Sequence, residues 1–298
     1  MHGSPQRSPR RTKGVPTERA RRIGALALLA GTFAVPLLAQ PPYPARGGGY
    51  LPFETERQTL EFLDRADVVE IEKMSAGTNK KKRKVELAGN GLRIRAIHRT
   101  TFDYREMATV GFVDSYLSEL AAYELADLLG IGRVPAVVLR KVKGAGKGSL
   151  QLWIEGATTE ADRLRDEIEP PDPERYRQQM DVLRVFDNLI ANTDRNPGNI
   201  LFDSDWRIWF IDHTRSFAGY TELREPDKVQ RYERGLWQRL QSVTDGEIRR
   251  RVEPYAPRYV AELLERRRLL VDLIRQRIAE HGEESVLFTW SESPGAER

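Results

Sequence analysis

Three polar residues stand at a spacing that suits metal and proton chemistry: Asp194, Asn199 five residues later, and Asp212 after a further apolar run. Mg²⁺ prefers oxygen ligands and usually shares one or two protein ligands with substrate phosphates, so Asn199 and Asp212 suit a metal site. Asp194 lies in a loop that contains Pro and Gly, where a carboxylate can orient an attacking hydroxyl and accept its proton. The stretch therefore predicts a site with one catalytic carboxylate, which accepts a proton, and two metal ligands.

The same residue types also form ordinary turns. Asn and Asp side chains bond to nearby backbone groups, and Gly supplies positive φ, so the two loops need no chemical role. Against this, Asp212 directly follows the apolar run Trp209-Phe210-Ile211, where a solvated turn has no use for it. We therefore favour the functional interpretation.

The composition excludes several other kinds of site. The sequence has no cysteine, which excludes disulfides, thiolate metal ligands and a cysteine nucleophile. The histidines are scattered, which excludes a His-rich zinc site and an HExxH protease; they stand at positions 2, 98, 213 and 281. A bound metal ion would therefore have oxygen ligands.

The net charge of +4 is concentrated at the start of the chain. Residues 1–22 hold seven of the 48 Lys and Arg residues and one of the 44 Asp and Glu residues, which leaves 41 basic and 43 acidic residues beyond. This slightly acidic body gives no overall electrostatic footprint for a phosphate backbone, so we expect no nucleic-acid partner.

An apolar run of about 16 residues, Ile23 to Leu38, follows the basic segment. This order, with a small residue before a Pro-rich break, predicts a secretory signal peptide over residues 1–40, cleaved near Ala39. The protein would then be exported to a periplasm, the cell exterior or a secretory lumen. One alternative is an uncleaved anchor, although the apolar run is short for a membrane span of ~20 residues. Such an anchor would be the only link of the protein to a membrane. The other alternative is a buried core helix.

Beyond the leader, the composition predicts a linker and then a β-rich unit. Pro and Gly clusters indicate a linker over residues 41–66. From Val68, three short β-branched and apolar runs with Gly/Asn turns predict an antiparallel meander, and a hairpin that begins at Pro135 adds two strands. We expect this unit to occupy residues 67–156.

Between the meander and the hairpin, the sequence predicts a helix that is capped by Asp114 or Ser115 and ends at Gly130. The basic run Lys80 to Lys84 lies in or beside the first turn of the meander. We favour a solvated hairpin tip for this run over a phosphate-binding role.

Residues 157–290 are predicted to be mainly helical. Asp172 and Pro173 begin a helix that ends at Asn192, and Thr244 with Glu247 forms a capping box further on. Residues 291–298 are expected to form a tail.

The segment FDNLIANTDRNPGNILFDSDWRIWFID, which ends at Asp212, resembles the catalytic core of atypical kinases. The families are the secretory-pathway Golgi casein kinases and the phosphatidylinositol 3- and 4-kinase-like enzymes, which share FD..I.N.DR, a loop Asn and a final ID. The order of elements agrees over roughly residues 67–285. The resemblance implies an α+β, bilobal protein-kinase-like fold with a β-rich N-lobe and a mainly helical C-lobe. It further implies ATP with Mg²⁺ or Mn²⁺ between the lobes, with Asp194 as the catalytic Asp and Asn199 and Asp212 as metal ligands.

The resemblance also implies a cation on the third strand that contacts the nucleotide phosphates. Kinases use a Lys there, paired with a Glu on the following helix. This sequence has Arg99 at that position, and its planar fork is not interchangeable with an ammonium group. Glu119 is the expected partner, and Glu124 is the competing one.

Further contacts with ATP are implied by position. The backbone at Glu155 and Gly156 would meet the adenine edge, and the loop that contains Ser75 and Gly77 would cover the phosphates, although it lacks a GxGxxG pattern. His213 replaces the Phe of Asp-Phe-Gly, and we favour a structural hydrogen-bonding role over a general-base role for it.

The leading hypothesis is a phosphotransferase that moves the γ-phosphoryl group of ATP onto a hydroxyl of a protein, lipid or sugar. A nucleotide-binding pseudokinase is the alternative, favoured by Arg99 and the missing glycines and opposed by the intact acidic residues. A nucleotidyl transferase on a kinase scaffold is a third hypothesis. The sequence defines neither the acceptor nor the oligomeric state.

Overall fold

The computed structural model describes residues 43–74, 81–105 and 111–290. These residues belong to one compact unit. Within the described ranges, no helix is both long and apolar enough to cross a membrane. Some predictions fall outside these ranges, namely the signal peptide or anchor (1–40), Ser75 and Gly77, and the tail (291–298).

An antiparallel sheet forms the first part of the chain, here called the sheet-rich part. Its strands are β1 (Asp67–Lys73), β2 (Lys82–Gly89), β3 (Leu92–Arg99), β4 (Phe102–Arg105), β5 (Phe112–Ser115), β6 (Val137–Val142) and β7 (Gly146–Leu152). In the described part of the chain, the main sheet has the order β1-β2-β3-β7-β6. Asn90 and Gly91 connect β2 to β3 with φ values of 50° and 76°, as a two-residue hairpin loop requires. The predicted meander and second hairpin are confirmed.

Helix α2 (Tyr116–Leu128) packs beside this sheet and begins where the sequence predicted. Ser115 caps it, since its hydroxyl accepts a hydrogen bond from Leu117 N at 3.1 Å. The small hairpin of β4 and β5 precedes it and was not predicted. Strand β3 ends at Arg99, and Phe102 begins β4.

The segment that was predicted to be a linker contains helix α1 (Glu56–Arg65). Thr55 and Gln58 form a capping box at its start, and Phe62 and Leu63 are buried in the same core as the inner residues of the sheet. The prediction of a linker over residues 41–66 therefore fails for this helix. The Pro and Gly clusters lie before it, and they masked the short amphipathic run that follows.

The second part, here called the helical part, begins after β7. Its elements are β8 (Thr158–Thr159), α3 (Glu160–Arg165), α4 (Pro173–Ile190), β9 (Ile200–Phe202), β10 (Ile208–Phe210), β11 (Tyr232–Glu233), α5 (Arg234–Ser242), α6 (Asp245–Val252), α7 (Val260–His281), α8 (Glu283–Val286) and β12 (Leu287–Phe288). Asp172 caps α4 and Thr244 forms a capping box on α6, as predicted. The molecule is therefore a mixed α+β protein with a sheet-rich part and a helical part.

Tyr43, the first described residue, contacts both the sheet-rich part and the helical part. The ring of Tyr43 stacks on Trp209 of β10, with ring centroids 5.2 Å apart. Its hydroxyl accepts a hydrogen bond from Ala136 N at 3.0 Å and donates one to Glu56 Oε1 at 3.0 Å. Tyr43 thus connects α1, the start of β6 and the hairpin of β9 and β10.

Candidate active site

The hairpin of β9 and β10 brings two of the predicted site residues to one end of a short ladder. Ile200 pairs with Phe210, so the residues that flank them meet at the open end. There the backbone N–H of Ile211 donates to the carbonyl oxygen of Asn199 at 3.4 Å, and Asp212 follows directly. Asp212 has a φ of 59°, a left-handed conformation that is uncommon outside Gly and often marks functional positions.

The loop before this hairpin holds Asp194 through its backbone. The side chain of Asn192 accepts a hydrogen bond from Asp194 N at 3.0 Å. The side-chain amides of Asn196 and Asn199 donate to the carbonyl oxygen of Asp194 at 3.1 and 2.9 Å. The backbone is fixed in this way, while the carboxylate remains 41% exposed and can meet a second substrate.

Arg195 holds this loop against α4 and the hairpin of β9 and β10, and no role was predicted for it from the sequence. Its guanidinium donates to both carboxylate oxygens of Asp187 on α4, at 2.8 and 3.0 Å. It also donates to the carbonyl oxygens of Asn199 and Ile211 at 2.6 and 2.7 Å. One side chain therefore ties α4 to both ends of the hairpin. The Asp187 and Arg195 positions belong to the FD..I.N.DR pattern, which was the available signal.

Arg215 contacts the carboxylate of Asp194, with Nη1 3.6 Å from Oδ2. Its Nε lies 3.8 Å from Asp114 Oδ2 on β5. The carbonyl oxygen of Arg215 accepts hydrogen bonds from the backbone N–H and the hydroxyl of Thr193, at 3.0 and 2.9 Å. Arg215 was not predicted, and it places a positive charge beside the exposed carboxylate.

A buried group of charges joins β3, α2 and the end of the hairpin. Arg99 Nε lies 3.3 Å from Glu119 Oε1 and 3.8 Å from Asp212 Oδ1. Arg99 Nη1 donates to Gln151 Oε1 on β7 at 3.2 Å. His213 Nδ1 lies 3.4 Å from the other carboxylate oxygen of Glu119. His213 is buried, and it contacts the ion pair.

The competing partner of Arg99 lies elsewhere. Glu124 pairs with Arg251 of α6, with Nε 2.5 Å from Oε2. Glu119 and Glu124 are five residues apart, so they point about 140° from each other around α2. Only one of them can face β3, and the structure turns Glu119 to that side.

Lys82 completes the cluster, although its run of basic residues was expected to form a solvated tip. Its Nζ lies 2.5 Å from Asp212 Oδ2. Strand β2 begins at Lys82, which pairs with Arg99 in the register of the sheet. Two cations on neighbouring strands therefore approach the two oxygens of one carboxylate.

These cations determine the ionisation of the buried acids. Burial opposes the charged form of Asp212, but the attraction of Arg99 and then of Lys82 outweighs it and lowers the pKa of Asp212 to about 2. Burial also opposes ionisation of Glu119, and Arg99 and then His213 outweigh it and lower the pKa of Glu119. Both carboxylates are negative at neutral pH.

The residues predicted to meet adenine lie further along the sheet. The carboxylate of Glu155 accepts hydrogen bonds from both sides of the Arg95 guanidinium, one of them at 2.6 Å. Gly156 follows with a φ of 66°. Arg95 and Lys84 both lie over the ring of Trp153, at 5.7 and 5.9 Å from its centroid. The Glu155 side chain is thus held by Arg95, which lies on β3 four residues before Arg99.

The chain is similar to solved structures. No family model matches the sequence, and no curated protein matches it. The solved structures that match include the Helicobacter pylori proinflammatory kinase CtkA, with a TM-score of 0.49 and 12% sequence identity. The match covers 74% of this chain and 98% of that chain. At this level of similarity the match alone defines neither fold nor activity, and the resemblance to Golgi casein kinases and phosphatidylinositol kinase-like enzymes stays a prediction.

Proposed function

We propose that the protein is a kinase-like phosphotransferase that moves the γ-phosphoryl group of ATP onto a hydroxyl acceptor. The observation that carries this proposal is the ionised Asp212, which lies between the cations of the sheet and the loop that holds Asp194. Phosphoryl transfer needs positioning and charge stabilisation more than covalent chemistry, and this arrangement supplies both. The sheet-rich part would be the N-lobe and the helical part the C-lobe of a bilobal kinase-like fold.

The chain offers oxygen ligands for a divalent ion. Asp212 would supply an ionised carboxylate, and Asn199, at the same end of the hairpin ladder, would supply an amide oxygen. Among the described residues, no group of three or more His, Cys, Asp or Glu could hold an ion without help. Mg²⁺ or Mn²⁺ would therefore share this site with nucleotide phosphates and water. When bound, the ion would neutralise charge on the phosphates.

Asp194 would act on the acceptor side of the transfer. Its exposed carboxylate would hydrogen-bond the acceptor hydroxyl and take its proton, while the hydroxyl oxygen bonds to the γ-phosphorus and the bond to ADP breaks. Arg195 would keep the loop in register with Asp212 through its contacts with Asn199 and Ile211. Arg215 would hold the Asp194 carboxylate in place until the acceptor arrives.

The enclosure of Arg99 favours a second candidate function. Arg99 is 2% exposed and is already engaged by Glu119 and Gln151. A strand cation in that state suits a pseudokinase that binds nucleotide without transferring phosphate. With the leader predicted over residues 1–40, either candidate would be an exported protein.

The decisive experiment compares Asp194→Asn with Asp212→Ala, and uses Asp272→Asn on the exposed face of α7 as the control. For an enzyme, Asp194→Asn lowers phosphate transfer from ATP by on the order of 10² to 10⁴ and leaves thermal stabilisation by ATP with Mn²⁺ intact. Asp212→Ala removes that stabilisation. The acceptors to be offered are the protein itself, casein, phosphatidylinositol vesicles and free sugars.

The outcomes separate the candidates. A wild-type protein that is stabilised by ATP with Mn²⁺ but transfers no phosphoryl group to any of these acceptors supports the pseudokinase. A wild-type protein that is stabilised by neither ATP nor Mn²⁺ contradicts both candidates. Equal stabilisation of wild type and Asp212→Ala excludes Asp212 as the metal ligand.

A further inference from the structure

Lys82 is the cation of the cluster that an incoming ligand can reach. Its side chain is 25% exposed, whereas that of Arg99 is 2% exposed. Both approach Asp212, from neighbouring strands and on the same face of the sheet, because they pair in the register of β2 and β3. The two side chains therefore differ in access rather than in location.

Arg99 is committed to the protein. Its Nη1 donates to Gln151, and its Nε lies between Glu119 and Asp212. Turning the guanidinium towards a ligand would leave Glu119 as a buried carboxylate without its main counter-charge, which is costly. Arg99 is thus suited to hold α2 and the end of β10 in register with the sheet.

Lys82 has the opposite properties. An ammonium group has three donors on a flexible stem, and the contact with Asp212 uses one direction of approach. The carboxylate of Asp212 also has Thr214 Oγ1 at 3.4 Å and Arg99 at 3.8 Å, so it keeps other partners when Lys82 moves. Lys82 can therefore bind an anion without leaving a buried charge unpaired.

We propose that Lys82 is the residue that binds the phosphates of the nucleoside triphosphate, and that Arg99 is a positioning residue. This inference rests on the proposed function and reassigns the phosphate contact from the third strand to the second. It also gives Lys82 a second effect, because Lys82 and a divalent ion would both be attracted to the carboxylate of Asp212. Removal of the Lys82 charge should then strengthen binding of the ion alone and weaken binding of the nucleotide.

The test measures two affinities on the full chain with Lys82→Met, which keeps most of the stem and removes the charge. Binding of Mn²⁺ alone is followed by the electron paramagnetic resonance signal of the free ion. Binding of ATP in the presence of Mn²⁺ is followed by equilibrium dialysis. Lys141→Met is the matched control, since Lys141 is exposed on β6 at the far edge of the sheet.

We expect Lys82→Met to raise the Mn²⁺ affinity by about threefold or more and to lower the ATP affinity by about tenfold or more, which corresponds to the loss of one charge-assisted contact. Lys141→Met should change neither affinity. Lys82→Gln, which keeps a polar end group without charge, should behave like Lys82→Met. Arg99→Lys should lower the ATP affinity less than Lys82→Met does.

Three results would overturn the inference. If both affinities fall together in Lys82→Met and Lys82→Gln, Lys82 serves only to hold the cluster in shape. If ATP affinity is unchanged in both variants while wild type binds ATP, another residue holds the phosphates and the proposed function survives. A wild type that binds neither ATP nor Mn²⁺ refutes the proposed function itself, and the inference with it.

Discussion

The ion pair between Arg99 and Glu119 should be the costliest polar contact to break in this site. Glu119→Gln keeps the shape of the side chain and removes its charge, so Arg99 remains buried with Asp212 as its nearest acid, at 3.8 Å. Removal of one partner of a buried pair costs about 3 to 5 kcal/mol. Because Asp212 still offsets part of the Arg99 charge, we expect a loss of about 3 kcal/mol in the free energy of unfolding. With an unfolding entropy of about 2.1 cal/mol/K per residue, that lowers the Tm of this 298-residue chain by about 5 °C.

Glu124→Gln on the same helix is the matched control. Its partner Arg251 is 39% exposed, and a pair of that kind contributes no more than about 1 kcal/mol. Urea unfolding followed by tryptophan fluorescence compares the two variants with wild type. A Glu119→Gln variant within about 1 kcal/mol of wild type, or one no less stable than Glu124→Gln, would refute the reasoning that Arg99 needs this counter-charge.

The remaining predictions concern the sheet and helix α1. Gly148→Ala should destabilise by about 3 kcal/mol or prevent folding, because a Cβ there would overlap the carbonyl oxygen of Arg99; Gly246→Ala, in the first turn of α6, should be neutral or stabilising by urea unfolding. Burial raises the pKa of Glu56, although two tyrosine hydroxyls donate to its carboxylate. The contribution of Glu56 to stability is therefore greatest at low pH, and it is lost as the pH rises through the raised pKa of the folded state. Glu56→Gln should therefore gain stability relative to wild type from about pH 4 to 7, and parallel urea midpoints across that range would contradict this.

Much of the architecture could be predicted because its signals are local. The Asn90-Gly91 loop, the Ser115 cap and the Thr244 capping box each specify a boundary through residues next to it. Helix α1 and the hairpin of β4 and β5 were not predicted, because their local signals are weak. One is a short run after Pro and Gly clusters, and the other has strands of only four residues.

The site was predictable only where a pattern of residues identifies it. The Asp194 to Asp212 stretch carries its spacing in the sequence, so its three candidate site residues could be predicted. The contact of Lys82 with Asp212 joins residues 130 positions apart, and a basic run looks the same whether it ends in solvent or on a buried carboxylate. The choice between Glu119 and Glu124 likewise depended on which face of α2 turns to β3.

The stacking of Tyr43 on Trp209 affects how the molecule unfolds. Because the Tyr43 hydroxyl is bonded to Ala136 N while its ring lies on β10, neither half can loosen at this point without disturbing the other. The halves are therefore energetically coupled on the side of α1, and denaturation should proceed as one cooperative event rather than as two separate meltings. Processing after Ala39 would leave Tyr43 as the fourth residue of the mature chain, so a cut only a few residues later would remove that coupling.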